Sequence, residues 1–323
     1  TKVYAALANH DFNPNQFPAG NNTIYNQGAE LRSWIAFFKK RAFYFEKPPS
    51  PSRAGIVVLN TNLYYSNNEQ TAGMADPGQQ FQWLEDALTN SSLAGKMVYI
   101  IGHVPPGFFE KTCSKPWFQQ AFNKRHLKVV CKYHWVIVGQ FFGHPHTDSF
   151  QMFYDDTGIP ISVTRLTPTV TPKTTLPGVS GANNPGIRVM EYNRTTLSLQ
   201  DMVTYFVNLS QANGDAQGTP NWELDYKLTE AYVPNISVHC MHAALSYIAG
   251  DQGDLQRYHV YNSVSYDTQE CWEACGTEQV CMIREVDFDT YTACFRTSSD
   301  APTAGLERLL AALLGLRALL VPC

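Results

Sequence analysis

Three short apolar runs, each broken at once by a polar or glycine turn, constrain the fold of this chain more than any other feature. Ile56 to Leu59 precedes Asn60-Thr61-Asn62, Val98 to Ile101 precedes Gly102-His103, and Val136 to Val138 precedes Gly139. Runs that are apolar at successive residues, rather than alternating, read as strands buried on both faces. Between the first two, Asp76-Pro77-Gly78 stands ahead of Phe81, Leu84 and Leu88, an N-cap candidate before a helix with one apolar face. Strands alternating with a helix predict α/β layering.

Further along, Ser149 to Tyr154, the turn Asp155-Asp156-Thr157-Gly158 and Ile159 to Leu166 have the signature of an antiparallel hairpin. A second hairpin runs from Ile187 through Asn193 to Tyr205, and Pro172 to Pro185 reads as a long loop between the two. From about Val238 the pattern turns to short helices and ends in a cysteine cluster. This divides the chain into a main domain over 1–237, a small helical subdomain over 238–296 and a tail over 297–323. The tail offers small residues from Ser298 to Ala301, a polar spacer through Arg308 and an apolar run from Leu309 to Val321, the layout of a glycolipid-anchor signal. That run is short of the roughly 20 apolar residues a bilayer span needs, and Arg317 interrupts it. An amphipathic C-terminal helix is the alternative reading of the same residues.

With 323 residues and 44 % of them hydrophobic, the chain can bury a large core. Charged residues make up 16 %, and the 24 basic residues are scattered among 28 acidic ones for a net charge of −4. A nucleic-acid polymer needs clustered Lys and Arg to displace its counterions, so a small or membrane-displayed substrate fits better. Of eight cysteines, Cys271, Cys275, Cys281 and Cys294 crowd together, whereas Cys113, Cys131, Cys240 and Cys323 stand alone. The spacing within the cluster suits a zinc finger poorly and a local disulfide staple well. Asn-x-Ser/Thr acceptors at Asn21, Asn90, Asn193, Asn208 and Asn235 agree with passage through a secretory pathway.

The chemistry-bearing histidines sit where apolar runs end. Gly102-His103-Val104-Pro105-Pro106 follows one and Gly143-His144-Pro145-His146 another. In both, Gly permits a tight exit and Pro stiffens the loop behind it, so that a ligand is held still. In extended chain, residues i and i+2 point the same way, which lets His144 and His146 face one cavity and serve one metal or two adjacent ones. Asn9-His10-Asp11 adds a neutral oxygen ligand, an imidazole able to protonate a departing oxygen, and a carboxylate able to orient that imidazole. Surface or core-satisfied side chains are the bland alternative for each.

The order Asn-His-Asp, Gly-His-Val-Pro-Pro, Gly-His-x-His resembles the later motifs of the calcineurin-like metallophosphoesterases. Asn60-Thr61-Asn62-Leu63-Tyr64-Tyr65, Gln82-Trp83-Leu84, Gly139-Gln140-Phe141-Phe142-Gly143-His144 and Asn183-Asn184-Pro185-Gly186-Ile187-Arg188 narrow the resemblance to the acid sphingomyelinase-like branch. It implies a four-layer α-β-β-α sandwich, incomplete at its N-terminal side, with a small helical disulfide-linked C-terminal subdomain. It implies that Asn9, His103 and His144 bind one zinc and His146 contributes to a second, with His10 at the leaving side. Two metals would clamp a phosphodiester and lower the pKa of a bridging water to roughly 7. It further implies the pairs Cys271 with Cys275 and Cys281 with Cys294, and places Tyr64 and Tyr65 in the substrate cleft, with buried sheet aromatics as the equal alternative for these two. The family's Asp-x-His and Gly-Asp motifs, which carry the remaining ligands, would precede Thr1, and Ala8 stands where the family usually has Gly.

The resulting expectation is a zinc-dependent phosphodiesterase acting on a small phosphodiester, nucleotide or phospholipid head group. It would be a monomer, secreted or lipid-anchored at the outer membrane leaflet, with one zinc or fewer in these residues alone. A non-catalytic lipid-binding or regulatory surface protein is the alternative. Gly178-Val179-Ser180-Gly181-Ala182 approaches a nucleophile elbow but lies in a Pro- and Asn-rich loop rather than between strand and helix. His239 and His242 read as a solvated helix face, and His126, His134 and His259 carry no motif.

Overall fold

The computed structural model describes residues 3–11, 43–48, 53–112, 115–172, 181–215, 220–272 and 274–299. Ser180, Asn21 and the tail beyond 299 lie outside them. The chain forms two compact units: Thr1–Gly107 with Pro116–His144 and Arg194–Leu197, and Phe108–Lys115 with Pro145–Asn193 and Ser198–Cys323.

In the first unit the apolar runs are strands. We number them β1 (Tyr44–Glu46), β2 (Ala54–Val58), β3 (Met97–Ile101) and β4 (Ile137–Phe142). β2 is buried at every residue and runs parallel to β3, which runs parallel to β4, while β1 joins β2 antiparallel. Val58 pairs with Ile101 and Ile101 with Phe141, so the C-terminal ends of three parallel strands lie level. The connecting helices are α1 (Gln80–Leu93) and α2 (Gln120–Tyr133), which pack on each other, and α1 also packs on β3.

Phe81, Leu84 and Leu88 form the buried face of α1. The expected cap is present in an unusual form. Gly78, at φ 67°, turns the chain through Pro77–Gln79, and the Asp76 carboxylate then accepts the N–H of Phe81 and of Gln82, both at 3.0 Å. One expected strand end moves: β4 does not stop at Gly139 but pairs it with Tyr99 and continues through buried Gln140 and Phe142. The residue that ends the strand is Gly143.

The second unit opens with the expected hairpin, β5 (Ser149–Tyr154) against β6 (Pro160–Leu166). Asp155 Oδ1 closes its turn by accepting the N–H of Thr157 and of Ile159, both at 2.9 Å. The second hairpin, β7 (Gly186–Tyr192) and β8 (Leu199–Val207), gains a third strand, β9 (Trp222–Lys227). β9 is an addition to the sequence reading. Its Trp222 and Leu224 alternate with polar residues yet are 44 % and 48 % exposed, so the alternation does not report burial.

The remaining elements are α3 (Leu209–Gly214), α4 (Leu228–Ala231), α5 (Val238–Gly250), α6 (Gln252–Asn262), α7 (Ala274–Arg284) and α8 (Phe288–Ser299). Ser237 caps α5 and Asp251 caps α6 through their side-chain oxygens. α5 packs on β6 and α7 on β5. Both implied disulfides are present, Cys271 with Cys275 and Cys281 with Cys294, and the second ties α7 to α8. Cys240 is also disulfide-bonded. No helix among the described residues is long and apolar enough to cross a membrane.

His126 on α2 is fully buried, its ring nitrogen donating to Gln140 Oε1 at 3.2 Å, and burial pushes its pKa down to about 4. Because the folded value lies below the ordinary 6.5, the unfolded chain takes up a proton first as pH falls. Stability therefore holds above about pH 6.5 and declines towards pH 4, by an amount on the order of 3 kcal/mol. Thermal melting across this range should show the decline in the wild type and a shallower slope in His126→Gln.

Candidate metal centre

Three residues far apart in sequence meet at the level ends of the parallel strands. Asn9 lies in a single 3-10 turn, Asn9–Asp11, while His103 and His144 each follow a strand by two residues. Asn9 Oδ1 stands 2.9 Å from His103 Nε2 and 3.2 Å from His144 Nδ1, and the two ring nitrogens are 3.2 Å apart. Hydrogen bonding satisfies such a triangle badly. If both rings point an N–H at the amide oxygen, the two N–H groups face each other; if only one does, the other ring nitrogen turns a lone pair towards the oxygen; and if neither does, three lone pairs converge. Ligands about 2.0–2.1 Å from a tetrahedral metal lie about 3.3 Å apart, so the spacing and the N,N,O donor set both fit a divalent ion.

The surrounding residues explain why the triangle is held. The His103 N–H donates to Thr61 Oγ1 at 3.1 Å, and the Gly143 N–H donates to the His103 carbonyl at 3.0 Å, which joins the two histidine loops. Gly102 is required by space: a Cβ there would lie 2.5 Å from the Phe142 ring and 2.9 Å from Thr61 Cγ2. Asn62 Nδ2 donates to the Leu7 carbonyl at 2.8 Å and so anchors the segment carrying Asn9. Gln80 in turn grips both backbone groups of Asn60, accepting the N–H at 2.8 Å and donating to the carbonyl at 3.2 Å. The His144 ring is walled edge-on by Trp117 at 4.7 Å and Tyr65 at 5.0 Å.

Several expectations are corrected. Asp11 does not orient His10: its carboxylate accepts the Ala8 N–H at 2.8 Å and closes the turn on which both Asn9 and His10 sit. His10 itself is exposed. Tyr64 is a core residue, fully buried and stacked on Phe81 at 4.3 Å, whereas Tyr65 is the one that reaches the site, against His144. His144 and His146 have φ of 77° and 67°. The chain there is turned rather than extended, so the i, i+2 rule does not govern where their rings point. Ala8 is not among the described residues with positive φ, so a methyl group at that position meets no φ penalty.

Other polar clusters are accounted for. His242 Nδ1 pairs with the Tyr154 hydroxyl at 3.0 Å, and burial lowers its pKa. His259, Cys271 and Cys275 lie within ligand reach of one another, but the two sulfurs are joined in a disulfide and offer no thiolate. Thr61, Asn62, Gln80 and Trp117 were not singled out as site residues in sequence. Only the motif Asn60-Thr61-Asn62 hinted at two of them.

A family model described as the acid sphingomyelin phosphodiesterase C-terminal region matches residues 159–301. The human protein named acid sphingomyelinase-like phosphodiesterase 3b is 67 % identical over 98 % of this chain and 71 % of its own length. The mouse cyclic GMP-AMP phosphodiesterase SMPDL3A is 38 % identical over 91 % of this chain and 68 % of its own. Sphingomyelinase phosphodiesterase C of Dictyostelium discoideum is 36 % identical over 87 % and 65 %. These are phosphoric diester hydrolases, and the chain is of that class. It belongs to the acid sphingomyelinase-like phosphodiesterase family, and it spans about two thirds to seven tenths of the length of these relatives.

Replacing Gly102 by Ala should push the His103 loop away from Phe142, costing about 1–3 kcal/mol of stability. Urea unfolding and divalent-metal titration of Gly102→Ala should both register it. Wild-type values in both would show that the close packing at Gly102 does not hold His103.

Proposed function

We propose that this protein is a zinc-dependent phosphodiesterase, and that Asn9, His103 and His144 hold one zinc while His146 contributes to a second. The observation that carries the reading is the convergence of one amide oxygen and two imidazole nitrogens within 3.2 Å at the strand ends. Zinc held there supplies Lewis acidity at a phosphoryl oxygen and a water whose pKa falls to about 7.

The chain's own residues then divide the work. Asn9 contributes a neutral oxygen, which leaves more positive charge at the site than a carboxylate would. His10, exposed on the same turn, donates a proton to the departing oxygen. Asp11 fixes that turn through the Ala8 N–H, so the ligand and the acid keep a constant offset. Tyr65 holds the His144 ring and borders the cleft. The reacting group is a phosphodiester of a small molecule, a nucleotide or a phospholipid head group.

The wider assignment rests on the sequence together with the disulfides. The disulfides support an oxidising compartment. Asn90 and Asn235 are exposed acceptors for glycosylation, Asn193 and Asn208 are partly exposed, and Asn21 completes the set in sequence. We assign 1–237 to the catalytic domain, 238–296 to the helical subdomain and 297–323 to a glycolipid-anchor signal on a monomeric surface or secreted protein.

Zinc analysis alongside hydrolysis of a bis-aryl phosphodiester tests the reading. His144→Ala should lose zinc and turnover together. His10→Ala should keep its zinc and lose about 10²–10⁴-fold in rate. Full turnover by chelator-treated protein, or by His144→Ala, would overturn it.

A further inference from the structure

The hexapeptide Asn183-Asn184-Pro185-Gly186-Ile187-Arg188 takes no part in the three-residue triangle, yet both its ends converge on a single stretch of the second unit. Asn183 Nδ2 donates to the His146 carbonyl at 2.9 Å. The orientation of that amide follows from its partner, because a carbonyl requires a donor. Arg188, its side chain 1 % exposed, forms a buried ion pair with Asp148, which also accepts from Thr204 Oγ1 at 2.8 Å and from the Tyr226 hydroxyl at 2.7 Å.

The middle of the hexapeptide is tied down independently. Asn184 donates from Nδ2 to the Val264 carbonyl at 2.9 Å and accepts the Leu209 N–H at 3.1 Å. Gly186 opens β7 in a space where a Cβ would meet Pro168 at 3.0 Å and Val264 at 3.1 Å. The frame is therefore anchored independently of the loop it contacts.

Residues 147 to 149 are gripped as firmly. Thr147 Oγ1 donates to Glu110 Oε1, which also accepts from Asn262 Nδ2 at 2.9 Å. The Asp148 N–H donates to the Asn262 carbonyl at 3.0 Å, and the Ser149 and Tyr258 hydroxyls pair at 2.6 Å. All of these groups are buried. At the head of this stretch stands His146, at φ 67°. The left-handed region costs an L-residue with a Cβ roughly 1–2 kcal/mol, which the surrounding contacts have to offset.

We propose that Asn183 and Arg188 are positioning residues for His146, holding its backbone in the left-handed conformation from the carbonyl on one side and from Asp148 on the other. The inference rests on the reading of His146 as a ligand of the second zinc. It explains why the two residues stand five apart at the ends of one rigid segment: they bracket three residues of the histidine loop. Removing the Asn183 amide takes this hydrogen bond from the His146 carbonyl, weakens the hold on φ, and turns the imidazole away from where it binds.

The test is zinc titration calorimetry on the full-length protein, with the visible spectrum of the Co²⁺-substituted protein as a second readout and thermal melting as the control for folding. Asn183→Ala should bind the first equivalent as wild type and the second roughly 10–100-fold more weakly, the range for residues that orient a ligand. Its Co²⁺ spectrum should lose the contribution of the second equivalent. Arg188→Lys, which keeps the charge but not the fork, should move in the same direction. If it fails to fold, Asn183→Ala alone carries the test. His146→Ala separates the two readings. Loss of the second equivalent there, with wild-type binding in a folded Asn183→Ala, overturns the positioning role alone. Wild-type binding in His146→Ala removes the ligand reading, and the positioning role with it.

Discussion

The tight approach of Asn9 Oδ1, His103 Nε2 and His144 Nδ1 is the constraint on which the rest of the first unit depends. Three atoms that can each present a lone pair gather there within 3.2 Å of one another. Parallel strands supply the platform, because β2, β3 and β4 end level and their following residues emerge on one side. Around it runs a network made almost wholly of neutral groups: Thr61 on the His103 backbone, Asn62 on Leu7, Gln80 on Asn60. Neutral partners suit the position. They fix geometry without adding charges that would compete for a cation or pair with the imidazoles.

Backbone strain marks the Gly-His-Pro-His segment. Few non-glycine residues adopt positive φ, and here two of them are His144 and His146, on either side of Pro145. Proline fixes its own φ and biases the residue before it away from the right-handed helical region. Each histidine is set by what grips its backbone rather than by an ideal strand. For His144 the aromatic wall of Trp117 and Tyr65 adds a constraint on the ring. The stretch from His146 to Ser149 is instead held by buried polar groups: Asn183, Glu110, Asn262 and the Arg188–Asp148 pair. Such a network is dear to assemble but specifies one conformation, since a buried donor or acceptor left unmet costs about 1–3 kcal/mol.

Much of the architecture was legible because it depends on local pattern. Continuous apolar runs gave β2 and β3 within two residues, Asp76-Pro77-Gly78 announced α1, and Asp155 to Gly158 marked the β5–β6 turn. Misses came where the local signal was ambiguous. Gly139 looked like a strand end and is a strand interior, paired with Tyr99 just after a register shift, where an interior glycine often marks a bulge. Tyr64 and Tyr65 are adjacent and chemically identical, yet one stacks inside the core on Phe81 and the other abuts His144. Nothing in a dipeptide distinguishes the two faces.

The sequence by itself determined the identity of the candidate ligand residues, the strand ends that carry them, and, through resemblance, the disulfide pairs. All of these follow from residue type and short-range pattern, or from motifs whose order survives in the chain. Tertiary structure alone decided which of the candidates meet. It brought Asn9 to two histidines 94 and 135 residues away, spent Asp11 on the Ala8 N–H instead of on His10, and set both histidines of Gly-His-Pro-His at positive φ. The physical reason is one of range. Side-chain type fixes what an atom can bond to, whereas the position of that atom is the sum of many long-range packing and hydrogen-bond choices made elsewhere in the fold.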